Sequence, residues 1–134
     1  MLLNRLSENN KKLFLNLELF LANADGEYSE PEDRMIKAHC IEMGLEPVKY
    51  DESLILEEII KNINAQMTVK EKKIVLIELL TVAIVDGVYD DREKEFVGNL
   101  RKVLQIPEEV GEQAFDMVKK LVDASTSIEN FVEW

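Results

Sequence analysis

Apolar residues recur along this chain at helical spacing. Leu13, Phe14, Leu17, Phe20, Leu21 and Ala24 return every three or four positions. Leu15, Leu19 and Ala22 add a second apolar face. A helix that is apolar nearly all round belongs in the middle of a bundle. The stretch Ile74–Val85 has the same character. Its β-branched residues would suit a strand, but its length and its match to the first stretch favour a helix. After each of these helices comes an amphipathic one. Ile36, His39, Cys40 and Met43 mark the first, which Gly44 ends; Phe96, Val97, Leu100, Val103 and Leu104 mark the second.

The boundaries follow from capping chemistry. Both apolar helices run into an Asp-Gly pair, Asp25-Gly26 and Asp86-Gly87, where glycine takes a left-handed cap at little cost. Ser29 with Glu32, and Asp90 with Glu93, have the spacing of a capping box that opens the next helix. Pro31 is tolerated in a first turn. Thr68 with Glu71 forms another such box, ahead of the central helix. Asp51 or Ser53 can start a helix through Leu54, Ile55, Ile59 and Ile60. Pro107 starts one with Val110, Ala114, Val118 and Leu121 on one side, and Ser127 can cap a last turn through Phe131 and Trp134. The expectation is an all-α, single-domain bundle of six to seven helices spanning residues 1–134.

The bundle is duplicated. Residues 20–32 align with residues 81–93 at an offset of 61, and Ala22/Ala83, Asp25/Asp86, Gly26/Gly87, Tyr28/Tyr89 and Glu32/Glu93 are identical. Upstream, Lys12/Lys73, Leu15/Leu76 and Leu19/Leu80 also match. A long period with only two copies points to a doubled half-domain, about 10–45 and 71–106, and not to a solenoid.

Charge narrows the function classes. The 134 residues carry 27 acidic against 16 basic side chains, a formal net charge of -11. Nucleic-acid binding needs a basic patch, so it is not expected. Cations or a basic protein surface are the natural partners. Cys40 is the only cysteine, which excludes an internal disulfide and a cysteine-rich zinc site. Lys11-Lys12 ahead of Leu13–Leu21 imitates a secretory signal, but Asn16 and Glu18 interrupt the run and the pattern recurs in mid-chain. Ile74–Val85 is too short to span a bilayer. No membrane insertion and a cytoplasmic location are the default expectations.

Asp25–Glu32 matches the second half of an EF-hand loop: Asp-Gly, then oxygen-bearing side chains, then a Glu six residues after the Gly. Oxygen-only ligands of this kind suit a divalent cation, Ca2+ foremost. The first half of the loop is missing, since Leu21 and Asn23 precede Asp25, and Val82 and Ile84 precede Asp86. Each copy therefore offers two or three ligands. The competing reading is architectural. Ser29 and Asp90 are natural N-caps, Glu32 and Glu93 complete the boxes, and Glu30 and Asp91 suit a first helical turn. Only Asp25 and Asp86 lack such a role, because an acidic residue at a helix C-terminus opposes the macrodipole.

An Asp-Gly-x-Tyr-Asp/Ser-x-x-Glu motif after an apolar helix, present twice at this separation, resembles the TerB family of tellurite-resistance proteins. Val85–Lys94 is close to that family's second copy, and the likeness covers roughly residues 10–108. The resemblance implies an all-helical fold with pseudo-twofold character, an acidic surface that binds divalent cations, and a stress-response context. Position by position it implies Asp25, Glu32, Asp86 and Glu93 as ligands, with Ser29, Glu30, Asp90 and Asp91 in support. Val85 stands where the family often has a small residue, and residues 107–134 continue past the second motif.

No catalytic set is legible. His39 is the only histidine and sits on an amphipathic stripe, as expected of a packed, partly buried residue. Cys40 beside it points to another part of the helix surface, so the two do not make a nucleophile pair. The chain reads as non-enzymatic. Two functions stay open: binding a divalent cation, or docking a basic protein on an acidic face with no specific metal.

Overall fold

The computed structural model describes residues 1–23, 30–46, 53–85 and 91–133. Of these, the side chains of residues 85, 91–94, 96 and 97 are not described. The described residues form an all-α protein. A short 3₁₀ turn (Leu3–Arg5) precedes six helices: α1 (Glu8–Asn23), α2 (Glu30–Met43), α3 (Leu56–Gln66), α4 (Val69–Val85), α5 (Asp91–Val103) and α6 (Glu108–Glu133). Among the described residues no helix is long and apolar enough to cross a membrane. Two compact units are present, Met1–Val75 and Leu76–Trp134.

In the first unit, α1 lies against both α2 and α3. Its nearly continuous apolar surface explains this position, because only a helix touched from several sides can bury residues all round. Phe14 and Leu17 are fully buried, with Leu15 and Leu19 close behind. Each such side chain contributes roughly 1.5–3 kcal/mol by leaving water. The 3₁₀ turn packs on α2, where the Leu3 N–H donates to Glu42 Oε2 at 3.2 Å. α3 buries Ile59 and Ile63. It begins at Leu56 with Ile55 at the N-cap and no side-chain cap bond, so Ser53 lies outside the helix; Asp51 falls beyond the described residues. In the second unit, α5 packs on α6, and Leu100, Leu104, Ile106, Ala114 and Val118 are buried.

The expected cap at Ser127 is not a helix start. α6 runs unbroken from Glu108 to Glu133 and carries Ser127 in its interior. Serine is only mildly unfavourable inside a helix, and no proline interrupts the chain after Pro107. The described helices therefore number six, with no separate seventh at the end.

The duplication extends to the ends of the helices. α1 and α4 begin 61 positions apart, at Glu8 and Val69, and α2 and α5 do the same at Glu30 and Asp91. α2 closes with a six-to-one and a five-to-two hydrogen bond: the Leu45 N–H donates to Cys40 O at 2.9 Å, and the Gly44 N–H to Ile41 O at 3.2 Å. At the matching positions of α5, Ile106 donates to Arg101 O and Gln105 to Lys102 O, both at 3.0 Å. Both turns need a left-handed residue. Gly44 supplies it at φ +70°, whereas Gln105 is held at φ +61°. An L-residue with a side chain resists that conformation.

Helix starts are tied together as well. The Thr68–Glu71 box forms as expected: the Glu71 N–H donates to Thr68 Oγ1, and the Thr68 N–H to Glu71 Oε1, each at 3.2 Å. Glu71 Oε2 then reaches the start of α1. It accepts from Asn10 Nδ2 at 2.8 Å and from the Ser7 N–H at 3.4 Å. Ser7 Oγ caps α1 in turn, accepting from the Asn10 N–H at 3.3 Å. Asn10 stands where the second copy has Glu71, so one carboxylate completes the box of both helices. Burial works against the ionised form of Glu71, but the bonds from Asn10, Thr68 and Ser7 outweigh it and hold the carboxyl below its usual range.

Two outcomes follow for stability. Replacing Gln105 by glycine should raise it by about 1 kcal/mol by relieving the left-handed strain, and Gly44→Gln should lower it by about the same amount. A Cβ on Gly44 meets nothing within 4 Å, so that loss is conformational alone. Urea midpoints of the two variants would move in opposite directions. For Glu71 the folded carboxyl ionises more readily than the unfolded one. Its contribution is complete above roughly pH 4.3 and is lost as pH falls through the folded value. Glu71→Gln should therefore cost about 1 kcal/mol at pH 7 and flatten the acid limb of stability against pH.

Candidate functional site

The two Asp-Gly segments are followed by helices that begin 61 positions apart. The first falls between the end of α1 at Asn23 and the start of α2 at Glu30; the second falls between the end of α4 at Val85 and the start of α5 at Asp91. Asp25, Ser29, Asp86 and Asp90 lie outside the described residues. Glu32 and Glu93 are each the third residue of their helix, which is where a capping box or a helix-borne ligand requires them. Asp91 opens α5; its side chain and that of Glu93 are not described.

On α2 the first turn holds Glu30, Glu32 and Asp33. Glu30 is exposed and Glu32 half-buried. Asp33 is engaged by Lys37 one turn on, Nζ to Oδ2 at 2.7 Å. That hydrogen bond and the Asp33 charge raise the pKa of Lys37. Asp33 is thereby taken up within the helix, beside Glu30 and Glu32 in the same first turn. On the helix that leads into the turn, Asn23 Nδ2 donates to Leu19 O at 2.7 Å and satisfies a carbonyl of the last turn. Carboxylates at a helix start are of the right donor type for a hard cation, although each turn offers fewer oxygens than calcium's usual six to eight. Among the described residues no three acidic, histidine or cysteine side chains converge as a metal-binding group.

A second polar cluster escapes a reading of the sequence. Glu18 on α1 is only 3% exposed, and its Oε1 lies 2.7 Å from His39 Nδ1 on α2. With Glu18 ionised, the ring nitrogen donates and the carboxylate accepts. Phe14 presents an edge-on contact to the imidazole, with ring centroids 5.8 Å apart. His39 is thus buried and hydrogen-bonded, beyond the partial burial expected of it. Its neighbour Cys40 is 1% exposed. Burial first, and the Glu18 charge second, push its thiol pKa up. That is the reverse of what a reactive cysteine needs.

The duplication shows what this pair is not for. The positions matching Glu18 and His39 are Leu79 and Leu100, and both leucines are buried. The same pair of positions therefore holds two polar groups in one copy and two apolar ones in the other. The buried acid of α4 is instead Glu78, which matches Leu17. The Glu–His contact is therefore particular to the first copy. The signal was available in the repeat, as two polar residues in apolar surroundings whose counterparts are both leucine.

This gives a direct test. Copying the second repeat into the first, as Glu18→Leu with His39→Leu, should leave stability within about 1.5 kcal/mol of the parent. Glu18→Leu or His39→Leu alone should cost about 3–5 kcal/mol by stranding one buried partner. A double-mutant cycle from urea denaturation measures the coupling; additive single effects would show that the pair does not act as a unit.

No family model, curated protein or solved structure matches this chain.

Proposed function

We propose that the chain is a TerB-like, non-enzymatic acidic domain that binds a divalent cation through its paired Asp-Gly turns, in a stress-response context of the tellurite-resistance kind. One observation carries this reading. Asp25 and Asp86 each stand between two helices that begin at equivalent positions in the two copies, and each following helix has an acidic residue at its first and third positions. Caps alone account for Ser29, Asp90, Glu32 and Glu93, but not for the aspartate that follows the preceding helix in both copies. Clustered carboxylates repel one another, and a bound cation relieves that repulsion. The ligands are Asp25, Glu32, Asp86 and Glu93, supported by Ser29, Glu30, Asp90 and Asp91, and Ca2+ fits an oxygen-only set best.

A second reading keeps the acidity and drops the ion. The net charge of -11 suits a basic protein partner, with binding weakened by salt and indifferent to the cation present.

Calorimetric titration of chelator-stripped protein with calcium, magnesium, zinc and manganese separates the two. The cation reading expects saturable heat from the parent and none from the Asp25→Asn, Asp86→Asn double variant. It also expects thermal stabilisation, about 2.7 kcal/mol at a hundredfold excess over the Kd. Absence of both at millimolar ion would reduce the turns to helix caps.

A further inference from the structure

α6 has 26 residues against 13 in α5, or about 39 Å against about 20 Å. Within the second unit, α5 is therefore long enough to cover only half of its neighbour. The apolar stripe of α6 does not stop where α5 does. Ala114 and Val118 are buried, but the stripe continues at helical spacing through Met117, Leu121, Ala124, Ile128, Phe131 and Val132. All six are exposed, Ile128 by 65%, Phe131 by 77% and Val132 by 73%. Single exposed apolar residues need no explanation, whereas a contiguous row in register with a buried seam marks an interaction surface.

Charge identifies the occupant. Glu129 stands on one edge of the stripe, and Lys120 on the other with Asp116 and Asp123 farther round. The helix also begins with Glu108 and Glu109 and ends with Glu133. A second copy of the chain would set one acidic helix against another, each on a molecule of net charge -11. An anionic lipid surface is opposed for the same reason. We propose that the C-terminal half of α6 docks an amphipathic helix of a partner protein, one whose apolar face is flanked by lysine or arginine. Apolar anchors at helical spacing would supply affinity, and the excess of acidic residues around the stripe would set polarity and speed encounter. This gives the second functional reading a surface, and it depends on neither Asp-Gly turn.

The probe is a fluorescently labelled synthetic peptide of leucine and lysine arranged as an amphipathic helix. The controls are the same composition scrambled and a leucine–glutamate version. Titrated against the full chain, the amphipathic basic peptide should bind saturably. Its affinity should fall at least tenfold in the Ile128→Ser, Phe131→Ser variant, which changes only exposed side chains and should melt like the parent. The acidic peptide should not bind, and sedimentation should show a monomer. Equal binding of the scrambled peptide, undiminished by the serine pair, would leave the acidic-partner reading standing and remove α6 from it. No saturable binding, dimerisation abolished by the serine pair, or vesicle co-sedimentation abolished by it would each overturn the proposal.

Discussion

Glu71 holds two helix starts with one side chain. Its Oε1 closes the box on Thr68 at the head of α4, and its Oε2 takes the Ser7 N–H and the Asn10 amide at the head of α1. The orphan N–H groups of a helix must find partners, and at the head of α1 Ser7 Oγ supplies one and Glu71 another. The second repeat keeps the glutamate that its own box requires, and the first repeat borrows it. Asn10 occupies the equivalent position of the first repeat and donates to that carboxylate. A doubled chain has here turned two local motifs into one long-range constraint within the first unit.

The two copies preserve backbone geometry more faithfully than side chains. The α2 and α5 ends close with matching pairs of hydrogen bonds, although one left-handed residue is Gly44 and the other Gln105. The helix starts keep their spacing although Glu18 and His39 are answered by Leu79 and Leu100. Such pairs of buried positions accept either polarity, provided both partners change together.

Much of the fold was legible because periodicity and capping are local. The apolar stretches gave α1 and α4, Gly44 gave the end of α2, and Thr68 with Glu71 gave the start of α4. What was missed depends on neighbours distant in sequence, or on weak local preferences. Ser127 has the chemistry of a cap but sits in a helix that nothing interrupts. Ser53 has it too, yet α3 starts at Leu56 without a side-chain cap. Glu18 looked like a break in an apolar run because its partner lies 21 residues away on another helix. The candidate cation site was legible only as residue types at a spacing. The structure adds that Glu32 and Glu93 share a helix position and that Asp33 is engaged by Lys37.

Cys40 brings a practical consequence. It is the chain's single cysteine, and it lies within the core of the first unit at 1% exposure. A thiol reagent in solution can reach it only when that unit opens. Opening events too rare to alter a spectrum still become countable, because each one that meets the reagent leaves a permanent mark. The labelling rate at rising reagent concentration separates how often the unit opens from how long it stays open. The protein thus carries its own clock for local unfolding, placed by the fold and needing no engineered probe.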